Sequence, residues 1–438
     1  MTEPVRVGVV GLGTVGSGVV RLLVESADHI TRQAGRPIVV ERAVCRDVKR
    51  DRGLKLAAGR VSSDVRDVSR DASISVAALL VGGLEPARSM MIELLEHGKD
   101  VVTANKALLA EHGPELFDLA RRKGRSIAFE AAVAGGIPIV AAIGECLAAN
   151  RIESIRGILN GTSNFILTRM EEDGADYAQV LKLAQEKGYA EADPAMDVDG
   201  TDATQKLAIL AHLAFGTWVP WGEIPRTGIE HLDLGLITCA REFGYRVRLV
   251  AVASRTADGR LAMRVAPALV RIGTPLAETR GAYNAVSIVG DAVGRMFFHG
   301  LGAGQMPTAS AVVADIIDTV VGRAAITFRT TGVLDVESPG RILGAEFQER
   351  HFLRVQVIDR PGVLSRVTGI LGEHGISIAS VIQHAPAGGA GAAAAAGVVP
   401  LVIMTHACGS AAVRRAVAHI DASDVVAAPA VCMSVLDD

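Results

Sequence analysis

The chain has 438 residues, 49% of them hydrophobic and 21% charged, with a formal net charge of -3. That length calls for two or three cores rather than one, and the composition is that of a globular protein. The charge leaves no basic footprint for nucleic acid or an anionic membrane surface, and no run of about 20 strongly apolar residues reads as a membrane span.

The N-terminal third alternates strand and helix. Val5–Val10 leads into Gly11-Leu12-Gly13-Thr14-Val15-Gly16, and a helical pattern then carries Val19, Val20, Leu23 and Val24. Strand, glycine turn and helix in that order form a dinucleotide-binding fingerprint. Glycine lets backbone approach a pyrophosphate, and the helix start offers it free N–H groups; the alternative is an ordinary tight turn. A second strand, Ile38–Cys45, ends at Arg46-Asp47, with Lys49 and Arg50 following. An acid there suits the ribose hydroxyl of NAD and an arginine the 2′-phosphate of NADP. Arg46 comes first, so NADP is favoured and NAD stays open. Ser75–Val81, a helix over Pro86–His97, the strand Asp100–Thr103, a helix to Lys123 and a strand over Ser126–Ala131 complete a Rossmann-type, doubly wound parallel sheet. Thr103, Asn105 and Lys106 fall just past a strand end, where such sheets bind ligands. Lys106 is a solvated lysine or one that handles a proton at the nicotinamide. Glu130 precedes the turn Val133-Ala134-Gly135-Gly136-Ile137-Pro138, whose carbonyls with one carboxylate suit a hard cation or simply turn the chain.

A strand over Arg151–Ile158 ends in Asn160-Gly161-Thr162-Ser163-Asn164-Phe165, with a helix beyond. Residues Gly188–Leu207 then gather Glu191, Asp193, Asp197, Asp199, Asp202 and Lys206. Pro194 and Gly200 make the first half a loop. From Thr201 onward, Ala203, Leu207, Leu210 and Ala214 recur at helical spacing, and Asp202 and Lys206, four apart, share a face. Such a pair is commonly a surface salt bridge; beside an acidic loop, in a chain with a nucleotide fingerprint, it is also the candidate centre of the chemistry. Leu261–Val270, Ala285–Val289 and the stretch around Phe297-Phe298 read as strands. Gly300–Ser310 is a glycine turn before a helix, either a plain helix start or a second backbone approach to a cofactor.

Thr327–Phe347 reads as connection or sheet edge. Strand His351–Ile358, helix Val363–His374, strands Ile376–His384 and Val398–His406, helix Ala411–Ile420 and strand Val425–Leu436 then give βαββαβ, a ferredoxin-like split unit. Gly388–Gly397, rich in alanine and glycine, is read as a long loop. The cysteines, at 45, 146, 239, 408 and 432, include no CxxC pair and read as free thiols of a reducing, cytoplasmic compartment.

The blocks GLGTVG, VVTANKALLA, FEAAVAGGIP, GILNGTSNFIL, GYAEADPAMDVDGTDATQKLAILA and GAGQMPTASAV, in this order over about residues 5 to 320, resemble homoserine dehydrogenase. The resemblance implies NAD(P)-dependent interconversion of L-homoserine and L-aspartate 4-semialdehyde. It implies an α+β catalytic and dimerisation domain after the nucleotide domain, and a homodimer or homotetramer paired through the middle sheet. It makes Lys206 the proton donor, with Lys106 beside it, and gives Glu191 and Asp202 the task of holding homoserine. Thr162, Tyr189 and Asp197 follow as further substrate positions. Thr14, Val15, Thr103, Lys106, Gly188, Glu191 and Gly302 fall near the cofactor, alongside Gly11, Gly13, Gly16 and Arg46 of the fingerprint. A structural sodium ion is implied at Glu130 and the carbonyls of Val133, Gly135 and Ile137.

Asp359-Arg360-Pro361-Gly362-Val363-Leu364 with Ile376–Gln383 resembles the ACT domain, an amino-acid-sensing module. That resemblance implies inhibition by threonine; the plainer reading is dimerisation alone. The expected division is a nucleotide domain over 1–135, a catalytic domain over 136–325 whose final helix returns to the nucleotide domain, a linker over 326–349 and the ACT-like domain over 350–438.

An unperturbed lysine, pKa about 10.4, is a poor base near neutrality, and two lysines facing one pocket should depress each other. One residue departs from the family pattern: Leu79 stands where a glutamate is usual before Gly82-Gly83. A catalytically silent nucleotide and amino-acid sensor is the alternative, opposed by the joint presence of Lys106, Glu191, Asp202 and Lys206. Aspartate-semialdehyde dehydrogenase would need a thiolate in a strand-end motif, and no cysteine fits one.

Overall fold

The computed structural model describes residues 3–57, 59–256, 258–330, 347–383 and 397–437. They form two compact units, one drawn from Met1–Gly161, Asp202–Ile224 and Ala282–Ser338, the other from Thr162–Thr201, Pro225–Gly281 and Pro339–Asp438. Gly388 to Ala396 of the expected loop, and residues 331–346 of the expected connection, lie outside the described residues. Arg323–Thr330, just before, is helical rather than connecting or sheet-like.

In the first unit, short β-branched runs form β1 (Val5–Val10), β2 (Ile38–Val44), β3 (Val61–Ser62), β4 (Ile74–Leu79), β5 (Asp100–Thr103) and β6 (Ile127–Ala128). They pair in the order β3-β2-β1-β4-β5-β6, all parallel. A parallel sheet covered on both faces has no solvent side, so Val7, Val9, Val10, Ala77 and Ala78 are all buried without alternation. Helix Gln305–Val320 packs on helix Thr14–Glu25: Ala309, Val312 and Ile316 share a core with Val19, Val20 and Leu23. Gly18 permits that approach, since a Cβ there would stand 3.0 Å from the Cβ of Ala309. The strand expected over Ser126–Ala131 is shorter, only Ile127–Ala128, and gives way to a 3₁₀ turn, Glu130–Ala132. The Glu130 N–H leaves the ladder there and donates to the Asp315 carboxylate at 2.9 Å.

This unit also holds the strands Ile152–Ile158, Tyr283–Gly290 and Gly294–Leu301, with Tyr283–Gly290 antiparallel to both others. Helix Thr201–Phe215 is buried at every position from Thr201 to His212. The one-sided periodicity of Ala203, Leu207 and Leu210 therefore understates it: its polar residues are interior too.

In the second unit, Tyr245–Arg255 and Leu261–Arg271 form a long antiparallel hairpin. Leu261–Arg271 runs parallel to Val426–Leu436, which is followed by Gln348–Ile358, Val398–Thr405 and Ile378–Gln383, each antiparallel to the last. Helices Val363–Glu373 and Ser410–Asp421 cover this sheet with Val367, Ile370, Leu371, Val413 and Ala416. The segment is the βαββαβ unit that the sequence order predicts. The strand Tyr245–Arg255 and the helix Leu234–Glu242 were not expected; Asp233 starts that helix by accepting the Leu236 N–H at 2.7 Å. The acidic loop carries a four-residue helix, Ala195–Val198, directly after Pro194. Among the described residues no helix is long and apolar enough to cross a membrane.

Candidate active site

In a doubly wound sheet, the connections from β1 and β4 leave in opposite directions and open a crevice beyond their carboxyl ends. Gly11, just past β1, has φ +106°, and a Cβ there would stand 2.8 Å from the Leu80 backbone. A Cβ on Gly16 would lie 1.8 Å from the Gly11 carbonyl oxygen. Gly13, by contrast, has nothing within 4 Å of its would-be Cβ and opens helix Thr14–Glu25 without a side-chain cap. The turn is thus closed on the protein side and open at the helix start, the shape that admits a dinucleotide pyrophosphate; Thr14 and Val15 supply the first helical amides.

Past β2, Arg46 and Asp47 are exposed. The Asp47 carboxylate accepts the N–H groups of Lys49 and Arg50 at 3.1 and 3.2 Å, so it caps its own turn. Arg52, which the sequence did not single out, reaches back to donate to the Leu12 carbonyl at 3.0 Å. Thr103 is buried; its hydroxyl donates to the Leu79 carbonyl at 2.9 Å. Asn105 caps helix Lys106–Arg122 through its side-chain oxygen and donates to the carbonyls of Val81 and Gly83, tying the end of β5 to the turn after β4. Leu79 itself is fully buried, a core residue at the end of β4.

Three predicted residues of the first unit meet in one cluster. Asp202 accepts from Lys206 Nζ at 2.8 Å and lies 3.0 Å from Lys106 Nζ; the Asn160 side-chain amide donates to it at 2.8 Å. Lys206 Nζ donates a second hydrogen bond to the Leu159 carbonyl at 2.7 Å, which also accepts from Asn284 at 3.0 Å. The side chains of Asp202 and Lys206 are only 7% and 10% exposed, so the surface salt-bridge reading is wrong; that of Lys106 is 36% exposed. Burial alone would raise the Asp202 pKa. The ammonium groups of Lys206 and Lys106, with the hydrogen bonds from Lys206 and Asn160, outweigh burial and hold it well below the usual carboxylate range. In this cluster one carboxylate bridges two ammonium groups, a buried lysine on one side and a more accessible one on the other.

The remaining substrate candidates belong to the second unit. Thr162 donates its hydroxyl to the Tyr189 carbonyl at 2.7 Å, and the Tyr189 ring packs on Phe165 with centroids 4.8 Å apart. Ser163 donates to the Asp197 carbonyl at 2.7 Å. Gly188 turns the chain at φ +75°, and Glu191 is exposed just beyond it.

At the candidate cation turn, both Glu130 carboxylate oxygens accept helix amides, from Val140 at 2.9 Å and Ala141 at 2.8 Å. Burial raises the Glu130 pKa, and burial with the neighbouring Glu130 charge pushes Asp315 well above its usual value. Among the described residues no group of three or more histidine, cysteine or acidic side chains could hold a metal. A cation at this turn would therefore rest on carbonyls such as those of Val133, Gly135 and Ile137, and Ala134, a non-glycine at φ +47°, shows the backbone held in a costly conformation there. Gly302 is fixed by packing: a Cβ would stand 2.1 Å from the Asn284 amide nitrogen. Asn160, Asn284, Asp315 and Arg52 are the residues that sequence reasoning missed. Asn160 stood in a quoted motif, and Arg52 followed a noted basic run.

A doubly wound parallel sheet of this strand order, with an open glycine turn and a buried lysine–carboxylate pair, defines an NAD(P)-dependent oxidoreductase. Residues 11–130 match the family model for the NAD-binding domain of homoserine dehydrogenase, 138–317 that for homoserine dehydrogenase itself, and 351–406 that for the ACT domain. A homoserine dehydrogenase from Pseudomonas aeruginosa is 42% identical, over 98% of each chain. A solved homoserine dehydrogenase from Thiobacillus denitrificans is 40% identical over 99% of each chain, with a TM-score of 0.91. A solved hyperthermophilic archaeal homoserine dehydrogenase mutant, in complex with NADPH, is 27% identical with a TM-score of 0.62, over 73% of this chain and 98% of its own. The chain belongs to the homoserine dehydrogenase family.

Proposed function

We propose that the chain reversibly converts L-aspartate 4-semialdehyde to L-homoserine with NADP(H) as the favoured carrier, in the cytoplasm, on the route to threonine, methionine and isoleucine. The observation that carries this reading is Asp202 held between Lys106 and Lys206 at 3.0 and 2.8 Å. The bound nicotinamide supplies or takes the hydride at the carbinol carbon. An ammonium has three donors; Lys206 directs two at Leu159 and Asp202, and its third protonates the aldehyde oxygen during reduction. In oxidation the neutral amine takes the alcohol proton back. Asp202 fixes the lysine and orients the substrate amine, which raises the fraction of reactive encounters.

Preference for NADP is supported by exposed Arg46, by Arg52 against the glycine turn, and by the commitment of Asp47 to backbone amides. A structural sodium ion at the turn after Glu130 is supported by its hard oxygen donors and by strained Ala134. Threonine inhibition is supported by the match of 351–406 to the ACT domain. Homodimer formation is supported by strand Gly294–Leu301, which ends its sheet and exposes Phe297 and Leu301, with Tyr283 exposed on its neighbour. The functional division follows 1–135, 136–325, 326–349 and 350–438.

Initial rates of nicotinamide reduction with L-homoserine, using NADP and NAD separately and with and without L-threonine, test the reading. Turnover faster with NADP and reduced by threonine is the expected result. Cofactor binding without turnover would replace it with the silent sensor.

A further inference from the structure

Outside the candidate active site, the second unit brings a thiol, an imidazole and a carboxylate into line. The strand Gln348–Ile358 carries Glu349 and His351, and the short strand Cys408–Gly409 pairs with its start, Glu349 opposite Cys408. His351 Nδ1 lies 3.7 Å from Cys408 Sγ, and His351 Nε2 lies 3.6 Å from Glu349 Oε1. Glu349 is itself held by Arg264, with both guanidinium nitrogens on its two oxygens at 2.6 and 2.7 Å. We assign the ring N–H to Nε2, on the carboxylate side, which leaves the Nδ1 lone pair for the thiol. Burial lowers the His351 pKa against the opposing charge of Glu349, so the ring is neutral near neutral pH. Proton transfer from the thiol rests on the short Sγ–Nδ1 approach rather than on a strong base.

A second group converges on the sulfur. Thr405 Oγ1 accepts the His351 backbone N–H at 2.9 Å, which turns the hydroxyl hydrogen toward another acceptor, and Cys408 Sγ lies 3.7 Å away. Helix Ser410–Asp421 begins two residues later, so its amide dipoles point toward the same place. Cys408 is half-buried, whereas Cys45 and Cys239 are buried and Cys146 and Cys432 are exposed.

We propose that Cys408 is a reactive thiol, a modification site for hydroperoxides and soft electrophiles, with His351 as its base and Glu349 orienting the imidazole. In the peroxide reaction, His351 Nδ1 takes the thiol proton and the sulfur attacks one peroxide oxygen. The S–O bond forms as the O–O bond breaks, and the departing oxygen collects the proton from the imidazolium. Sulfur is oxidised by two electrons to the sulfenic acid, and the hydroperoxide is reduced to water or an alcohol. The site stands independently of the dehydrogenase chemistry.

The test is site-resolved alkylation of the full-length protein with iodoacetamide, followed by peptide mass spectrometry, with Cys146 as the internal exposed reference. Cys408 is expected to react roughly tenfold faster than Cys146. The advantage should shrink in His351→Asn and in Thr405→Val, and dilute hydrogen peroxide followed by dimedone should tag Cys408 first. If Cys408 reacts no faster than Cys146, the proposal is overturned. If neither variant changes its rate, the assignment of His351 and Thr405 is overturned. A variant that fails to fold leaves the decision to the other variant and to the comparison within the wild-type molecule.

Discussion

His212 lies on the helix that carries Asp202 and Lys206, and it links acid stability to the candidate active site. It is 2% exposed, stacked on Phe117 with ring centroids 6.0 Å apart and set edge-on to Trp218 at 5.0 Å. Among the described residues neither ring nitrogen has a hydrogen-bond partner. Burial, aided by the charge of Arg121, pushes the imidazole down from 6.5 to about 4. The folded protein therefore holds a neutral ring while the unfolded chain takes up a proton more readily. This contribution to stability is complete above pH 6.5, declines as pH falls toward 4, and levels off below. The gap of about 2.5 pH units corresponds to about 3.4 kcal/mol in full, and to about 2 kcal/mol at pH 5. His212→Phe keeps a ring against Phe117 and removes the titration. Urea unfolding followed by tryptophan fluorescence reports this region, because the chain's two tryptophans are Trp218 and Trp221. Between pH 7.5 and pH 5 the wild type should lose about 2 kcal/mol more than the variant. Parallel pH profiles for the two proteins would refute the reasoning.

Lys206→Ala should lower kcat by about 10²–10⁴-fold with little change in KM for the nucleotide; near-normal turnover would remove Lys206 from proton transfer. Asp202→Ala leaves Lys206 buried without its counter-charge and should cost about 3–5 kcal/mol in chemical denaturation as well as turnover. Gly16→Ala places a methyl 1.8 Å from the Gly11 oxygen, so calorimetric titration should show nucleotide binding lost. Arg52→Ala should raise KM for NADP by about 10–100-fold, the worth of a charged hydrogen bond, while KM for NAD stays put.

Much of this arrangement was legible along the chain because it is local. Val5–Val10 followed by the glycine turn needed only adjacent residues, and the spacing of Asp202 and Lys206 already placed them on one helix face. What escaped is long-range or masked by composition. Asn160 meets Asp202 across 42 positions and Asp315 meets Glu130 across 185, distances over which no periodicity carries information. The strand Tyr245–Arg255 hides because Arg248 breaks its apolar run, yet the side chain is fully buried and donates to the Ala277 carbonyl at 2.9 Å. Thr204, Gln205 and Lys206 look like a solvated face, and burial reverses that sign only once their surroundings are known.

The parallel pairing of Ser434, Val435 and Leu436 with Ala268, Leu269 and Val270 makes the C-terminal unit a continuation of the hairpin sheet. Excising residues after 347 would not detach an appendage; it would bare the flank of an eleven-residue strand, Leu261–Arg271, with its N–H and C=O groups unpaired along that contact. Such edges recruit other chains. Truncation there would thus exchange a paired strand for an aggregation-prone edge, and point substitutions that leave the last strand in place avoid that exposure.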